Sequence, residues 1–297
     1  MHWIVASLFS AFFLGWYELS GKHAVRENAV LPVLFFTNLC SAVVWLVAMA
    51  MPAAVPNFPT ALLVAPLNFE QHLQLLLKST IVAASWTCSY FALKHLPVTL
   101  VSPIRATGPV WTLVGALIFL AERPTLIEGL GVVITLVSFF GLSAAGAREG
   151  IHFGSNRWIW FLIAGTLLNA VSALYDKFLL GRQGFSAATV QAWFSIYLAL
   201  LFLPLAIGWK FRWWQRHEFH WRWSIVFMSL ALLVADFVYF NALRDPDALI
   251  SLVSSFRRGS TLVAFVGGVV IFHEANWRQK FPAVLGVLIG IVLTVLG

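Results

Sequence analysis

The amino-acid sequence predicts an all-α integral membrane protein with ten transmembrane helices in two inverted five-helix repeats. The first observation is composition, because the chain is 60% hydrophobic and 10% charged, whereas a soluble domain carries about 25% charged residues. With so few charges the chain cannot cover a water-facing surface, so lipid must be its main solvent. The second observation is ten apolar segments of spanning length, and the third is a repeated motif in the two halves.

The ten apolar segments are joined by mostly short connections, and each is close to the roughly 17–25 residues that a bilayer requires. The predicted spans are 3–22, 29–50, 72–93, 98–120, 125–145, 158–179, 188–208, 222–243, 248–272 and 281–296. The first segment lacks a basic leader and a clear cleavage site, so we expect a retained helix rather than a signal peptide. The connection 146–157 is the natural seam, which divides the chain into repeats 1–148 and 149–297.

The fourth and ninth spans carry the same motif 152 positions apart. The residues Val101, Ser102, Arg105, Val114, Gly115 and Glu122 recur as Val253, Ser254, Arg257, Val266, Gly267 and Glu274. Shorter matches join 92–94 to 242–244 and 131–134 to 286–289. Because each half has an odd number of spans, the halves insert in opposite senses. That arrangement is typical of secondary transporters, whose binding site lies at the midplane between the halves.

These motifs resemble those of the drug/metabolite transporter superfamily and its EamA family. The resemblance is carried by Pro109, Gly115 and the 121–122 pair in the first half, and by Gly267 and the 273–274 pair in the second. It covers essentially the whole chain and implies a ten-helix transporter. The segment 105–109 and the basic pair 257–258 are also similar to phosphate-binding positions of the triose-phosphate and nucleotide-sugar translocator branch. That similarity implies phosphate-like recognition.

Arg105 and Arg257 lie inside the fourth and ninth spans at matching positions. An arginine at the centre of a membrane helix costs about 2.5–3.5 kcal/mol on insertion scales, so two matched arginines predict a shared polar cavity. Ser102 lies three positions before Arg105, and Ser254 lies four before Arg258, so each pair shares a helix face. We expect both faces to line the cavity. Arg257 should point into it rather than Arg258, because Arg257 has a counterpart in the first half.

A guanidinium binds carboxylate or phosphate through two parallel hydrogen bonds, so the matched arginines favour an anionic substrate group. Lys22 and Lys177, which end the first and sixth spans, would add positive charge to the site. The acids available to neutralise it are few, namely Glu18, Asp176 and Asp236. Asp236 has two interpretations: a proton-coupling carboxylate, or the ion-pair partner of an arginine.

Structural interpretations of the same residues remain open. Intramembrane arginines can bind helix-end carbonyls, and lysines near helix ends can extend to the interface. Glu18 and Lys22 are four positions apart and can neutralise each other. Glu274 ends a helix before a tight turn, which favours a structural role. The Trp- and Arg-rich segment 209–223 is typical of a belt at the membrane interface. The GxxxG motif at 286–290 is typical of close helix packing.

The predicted function is secondary transport of a small polar, anionic metabolite by alternating access around a basic cavity in the cell (inner) membrane. One alternative is a flippase for a lipid-linked sugar or a phospholipid headgroup. A less favoured one is an intramembrane transferase, since neither an HExxH motif nor a suitable acidic pair is present. We therefore expect no enzymatic activity, no cofactor and no metal.

The expected partners are the substrate and the lipid bilayer, with the chain a monomer or a homodimer. The net charge of +7 does not indicate nucleic-acid binding, because the basic residues lie mostly between apolar segments. Cys40 and Cys88 have no partnered spacing and should be packing residues.

Charge distribution and family resemblance disagree about orientation. Outside the spans, ten basic residues fall in the connections that follow the odd-numbered spans: Arg26, Lys94, Arg148, Arg157, Lys210, Arg212, Arg216, Arg222, Arg278 and Lys280. Four fall on the opposite face: Lys78, Arg123, Arg182 and Arg244. The positive-inside rule would then place both termini outside, whereas the resemblance implies cytoplasmic termini.

Overall fold

The structure, a computed structural model, describes residues 2–55, 57–108, 110–111, 125–213, 217–242, 257 and 259–296. The described residues are helical, with no strand among them. The helices are α1 (His2–Val25), α2 (Val30–Ala50), α3 (Phe69–His95), α4 (Val98–Ala106), α5 (Leu126–Ala147), α6 (Arg157–Lys177), α7 (Ala187–Lys210), α8 (Trp223–Ala242), α9 (Ser260–Phe272) and α10 (Trp277–Leu296). A π-helical turn, Phe178–Arg182, follows α6, and short 3₁₀ turns lie at Met51–Ala53 and Thr60–Leu62.

Local sequence explains where several helices begin. Asn68 and Gln71 form a reciprocal capping box that starts α3. The side chain of Asn156 accepts the Trp158 N–H at 2.9 Å at the start of α6, and Ser186 caps α7. Such caps satisfy backbone donors that have no partner within the helix.

Four of the described segments are long and apolar enough on their own to cross a membrane. They are Val30–Ala53, Gly129–Ala147, Arg157–Leu180 and Ala187–Lys210. The segments Trp223–Tyr239 and Ser260–Phe272 are apolar but shorter. Much of the fourth and ninth predicted spans, 112–120 and 248–256, lies outside the described residues. The described residues are therefore helical, and several of their segments suit a multi-pass membrane protein.

Helices of the first half pack mainly against helices of the second. The most extensive contacts join α5 to α10, α1 to α8, α3 to α6 and α2 to α7. Smaller contacts join α1 to α9 and α4 to α6. If each helix is replaced by the one five places along the chain, α1–α8 becomes α6–α3, and α1–α9 becomes α6–α4. The pairs α5–α10 and α2–α7 map onto themselves, so the packing has a two-fold pattern.

One face of the bundle, here called face A, carries the connections α1–α2, α3–α4, α5–α6, α7–α8 and α9–α10. Asn28 exchanges hydrogen bonds with the His220 backbone at 2.8 and 2.9 Å, and the Lys94 ammonium donates to the Asn28 carbonyl at 2.8 Å. The Lys280 ammonium lies 2.7 Å from the Glu149 carboxylate. These bonds hold connections from both halves together on face A.

Glu274 adds a further link on face A. Its carboxylate accepts the Val98 N–H at 2.7 Å and the Thr99 N–H at 2.8 Å. A negative charge at a helix N-terminus is favourable because the first backbone donors point toward it. Glu274 therefore fixes the start of α4, as the structural interpretation of its position predicted. Its counterpart Glu122 lies outside the described residues.

Face B, the opposite face, carries the α2–α3 and α6–α7 connections. There the Ala65 N–H donates to the Thr189 hydroxyl at 2.9 Å.

Candidate functional site

A polar cavity of about 160 Å³ lies between the two halves. Its lining comes from α1, α3, α4, α6, α7, α8 and α9, together with Arg257 just before α9. At about 30 Å³ for each water molecule, this volume has room for about five waters. The cavity is therefore large enough for a small metabolite in place of water.

Arg105 enters the cavity from the last turn of α4. Its Nη1 atom is 3.8 Å from the Glu18 Oε1 atom of α1. That separation exceeds the 2.7–3.2 Å of a direct N–H···O hydrogen bond, so the two charges attract without a close contact between these atoms. Ser102, one turn earlier, also lines the cavity and is 1% exposed. Its hydroxyl has no hydrogen-bond partner among the described residues.

Arg257 lines the same cavity and forms an ion pair with Asp236 of α8. Its guanidinium also lies over the Tyr239 ring, 4.1 Å from the ring centroid. The sequence left two interpretations open for Asp236, a proton-coupling carboxylate or the partner of an arginine. In the structure Asp236 is the ion-pair partner of Arg257. The structure thus brings the two matched arginines to one cavity, each with a different acid. Their role as substrate ligands remains a prediction.

A third ion pair, between Lys78 of α3 and Asp176 of α6, lies in the cavity wall. Lys78 is only 3% exposed, and its ammonium lies 4.8 Å from the centroid of the Phe194 ring. Sequence reasoning missed this residue and counted it among the basic residues of a connection, which is wrong. The signal was available: Lys78 falls within the predicted span 72–93, and a charged residue inside a span is a candidate for a functional site.

The described part of the cavity lining is balanced in charge. Its three bases, Arg105, Arg257 and Lys78, face its three acids, Glu18, Asp236 and Asp176, in three pairs. The three acids that the sequence offered to neutralise the basic cavity thus each face one of its described bases, and binding of an anionic substrate remains a prediction. The sequence could not assign these pairs, because position along the chain places a charge on one helix, while the pairs form between helices.

Lys22 does not line this cavity. Its ammonium donates to the carbonyls of Leu93 at 2.8 Å and Leu96 at 2.6 Å. These carbonyls belong to the last turn and C-cap of α3, where backbone acceptors lack partners within the helix. Lys22 thus binds the end of α3, and Glu18 lies near Arg105 rather than forming the pair with Lys22 that the four-residue spacing allowed.

Three further predicted site residues cannot be assigned to the cavity. Arg258 and Ser254 lie outside the described residues, as does the side chain of Lys177. Conversely, no sequence pattern singled out Tyr17, Trp86 or Asn169, which line the cavity on α1, α3 and α6. Aromatic and amide side chains are common in membrane helices, so their types carry no signal without the tertiary contacts.

The cavity extends toward face B and ends short of face A. Asp176 is one residue from the end of α6, and Tyr239 is three from the end of α8; both helices end at face B. Toward face A, Glu18 is seven residues from the end of α1, about 10 Å at 1.5 Å per residue. Ser102 lies closer to face A, but Glu274 covers the start of its helix.

Comparison with known proteins identifies the first half of the chain. The model of the EamA-like transporter family matches residues 1–144. Residues 1–144, just under half of the chain, therefore belong to that family, as the motifs predicted. The match does not extend to a particular sub-branch. No curated protein matches the sequence significantly.

The fold recurs in a solved structure over nearly the whole chain. A protein crystal structure has a TM-score of 0.62 to this one. The two are 14% identical in sequence, and the alignment covers 97% of this chain and 96% of the other. At this identity the likeness describes the fold. This similarity of fold includes the second half of the chain, which the family model does not match.

Proposed function

Since residues 1–144 belong to the EamA-like transporter family, we propose that the chain is a secondary transporter. It moves a small polar metabolite with an anionic group across the cell membrane by alternating access around the central cavity. The observation that carries this proposal is the position of Arg105 and Arg257 in one polar cavity between the halves.

The inverted repeat forms part of the proposal. The C-terminal end of α1 lies on face A, where Arg222 donates to the His23 and Arg26 carbonyls at 2.6 and 2.7 Å. The N-terminal end of α6 lies on the same face, where Trp158 stacks on His95 at 3.9 Å between ring centroids. Corresponding first helices of the halves therefore run in opposite directions, which supports inverted insertion. The two-fold packing pattern supports it as well.

Arg105 is the best candidate to bind the anionic group. Its side chain is 19% exposed, and its Nη1 atom stands 3.8 Å from the Glu18 Oε1 atom rather than in direct contact. A carboxylate or phosphate would accept two parallel hydrogen bonds from the guanidinium fork. The buried Ser102 hydroxyl, on the same face of α4, would donate one more.

The proposal is tested by counterflow in proteoliposomes. The purified chain is offered panels of phosphorylated metabolites, carboxylates, amino acids and lipid-linked sugars. We expect one panel of soluble metabolites to exchange, and Arg105→Gln to lower that exchange by about tenfold or more, because a charge-assisted bidentate contact is lost. Arg148→Gln is the matched control, since Arg148 is an exposed arginine on face A.

Two results would contradict the proposal. One is the absence of protein-dependent exchange with every panel. The other is exchange by Arg105→Gln equal to that of the wild type and of Arg148→Gln. Movement of the lipid-linked sugars alone would favour the flippase alternative.

A further inference from the structure

We infer that face A holds a binding site for one anionic phospholipid. The lipid phosphate lies among Lys94, His95, Arg157 and His217, here called the basic cluster, and an acyl chain follows the side of α3 that faces away from the cavity. None of the four residues lines the central cavity. The site is therefore separate from the one described above and does not depend on the proposed transport function.

The basic cluster is built around one tryptophan. The His95 ring stacks on the Trp158 ring at 3.9 Å between centroids, and the Arg157 guanidinium lies 4.5 Å from the centroid of the same ring. The charged groups that act most strongly on the His95 imidazole are Lys94, Arg157 and His217, all of them bases. A phosphate held among these side chains would offset their mutual repulsion and accept hydrogen bonds from more than one of them.

The charge of the basic cluster favours an anionic headgroup over a zwitterionic one. Among the described residues, no acid forms an ion pair with any member of the cluster. Glu218 follows His217 in the chain, but its side chain is 84% exposed and lies 3.9 Å from His220. The ammonium of a zwitterionic headgroup would find no carboxylate within the cluster, whereas an anionic headgroup is attracted by every base near the membrane surface.

The basic cluster lies at the depth of lipid headgroups. His95 is the last residue of α3 and Arg157 is the first residue of α6. Both therefore lie just beyond the predicted spans 72–93 and 158–179. Trp158 lies beside them, and tryptophan is enriched at the interface between membrane and water. A phospholipid of the surrounding bilayer already carries its phosphate at this depth.

An apolar surface continues from the basic cluster into the membrane. Counting back along α3 from His95, Phe91, Ala84 and Leu77 follow at steps of four, seven and seven residues, so they lie on one side of the helix. Ala84 and Leu77 are exposed, and the Phe91 ring is parallel to the Trp158 ring. From Phe91 to Leu77 the helix rises about 21 Å, which exceeds the ~15 Å of half a bilayer core. An acyl chain would thus meet this surface along its length, which favours a lipid over a free phosphate.

Native mass spectrometry of the purified chain in detergent tests the inference. The probes are phosphatidylglycerol and phosphatidylcholine with identical acyl chains, and soluble glycerol 3-phosphate as a competitor. We expect the first phosphatidylglycerol to bind about fivefold or more tightly than the first phosphatidylcholine. Arg157→Gln should weaken phosphatidylglycerol binding by about fivefold, the contribution of one base near the membrane surface. Arg157→Lys keeps the charge and should retain most of the binding.

Arg278→Gln is the matched control. Arg278 is also an exposed arginine in the first turn of a helix at face A, and it lies 5.4 Å from the ring centroid of the adjacent Trp277. This variant should bind phosphatidylglycerol as the wild type does.

Three results would overturn the inference while leaving the transport function untouched. The first is equal binding of the two phospholipids by the wild type. The second is an equal loss of phosphatidylglycerol binding, or no loss, in Arg157→Gln and Arg278→Gln. The third is displacement of phosphatidylglycerol by an equal concentration of glycerol 3-phosphate, which would identify a soluble anion as the ligand of the basic cluster.

Discussion

Lys280 carries a fully buried ammonium group, 0% exposed, in the first turn of α10. The ammonium lies 2.7 Å from the Glu149 carboxylate and donates to the Thr99 hydroxyl at 3.0 Å and the Ala275 carbonyl at 3.3 Å. A buried ammonium is tolerated only when its donors are satisfied and its charge is matched. Glu149 belongs to the connection between the halves, so the pair joins them on face A.

Removing one member of this pair should destabilise the protein. We expect Glu149→Leu to lower the free energy of unfolding by about 3–5 kcal/mol, because Lys280 is left buried without a counter-charge. The double variant Glu149→Leu/Lys280→Met removes both charges and should recover most of that loss. Thermal unfolding in detergent measures both, with the exposed Glu70→Leu as control. A double variant as unstable as Glu149→Leu would show that the pair does not carry this stability.

At the residue scale, the sequence indicated some of the charged residues that line the cavity, but it did not indicate which residues they pair with. Arg105 and Arg257 stood out because each lies inside an apolar span at a repeated position. Their acids could not be assigned, since Asp236 is 21 positions from Arg257, and Asp176 is 98 from Lys78. Ion pairs between helices depend on which faces meet, and periodicity within one helix does not specify that.

At the element scale, glycines allow close packing between paired helices. Gly290 of α10 faces α5, where an added methyl group would lie 2.7 Å from the Gly131 carbonyl oxygen. Gly286 lies one turn earlier and faces Ser138 of α5. The GxxxG motif thus has the packing role that the sequence indicated, since small residues let two membrane helices approach closely.

We therefore expect Gly290→Ala to lower the free energy of unfolding by about 1–3 kcal/mol through overpacking. Gly129→Ala is the matched control on α5, because an added methyl group there meets nothing within 4 Å. In that variant the higher helix propensity of alanine should leave stability equal or slightly raised. Thermal unfolding of the two variants side by side measures the difference. Equal loss in both would exclude close α5–α10 packing as its cause.

The helix ends show what local sequence can and cannot specify. Apolar segments predicted α2 over 29–50, and the structure has Val30–Ala50. The third span was predicted to start at 72, yet α3 starts at Phe69 because the Asn68–Gln71 capping box adds a polar first turn. Likewise α10 starts at Trp277 rather than 281, since its first turn carries Arg278 and Lys280. Hydropathy locates the apolar centre of a helix and misses polar turns at its ends.

At the scale of the whole molecule, repetition in the sequence was the most informative signal. It predicted two halves and a site between them, which stay predictions, and the described helices pair in a two-fold pattern. The net charge of the site could not be predicted in the same way. The matched arginines repeat, whereas Glu18, Asp176 and Asp236 have no acidic counterparts in the other half. Charges that break the repeat need the three-dimensional contacts.

The positions of the ion pairs relative to the two faces imply that the cavity is reached from face B in this state. The Lys280–Glu149 pair and the Glu274 cap join the connections on face A. The cavity lining instead continues to Asp176 and Tyr239, within three residues of helix ends at face B. A water-soluble reagent should therefore enter the cavity from face B, whichever way the protein is oriented in the membrane.

Cysteine labelling tests this prediction for either orientation of the protein in the membrane. In a background with Cys40→Ser and Cys88→Ser, Asn169→Cys places a single thiol in the cavity wall. Its labelling by a membrane-impermeant maleimide is compared in right-side-out and inverted vesicles. Two control variants carry an exposed thiol at a known face: Gln183→Cys at face B and Arg148→Cys at face A.

We expect Asn169→Cys to react in the vesicle orientation in which Gln183→Cys reacts. Asn169 is eight residues from the end of α6, so the reagent must pass about 12 Å into the bundle to reach it. Labelling that instead follows Arg148→Cys would contradict the prediction and place the opening at face A. A second measurement adds Glu149→Leu to the Asn169→Cys protein. If the maleimide then also labels Asn169→Cys from face A, the Lys280–Glu149 pair helps to close the cavity at face A, because weakening that contact has opened a pathway.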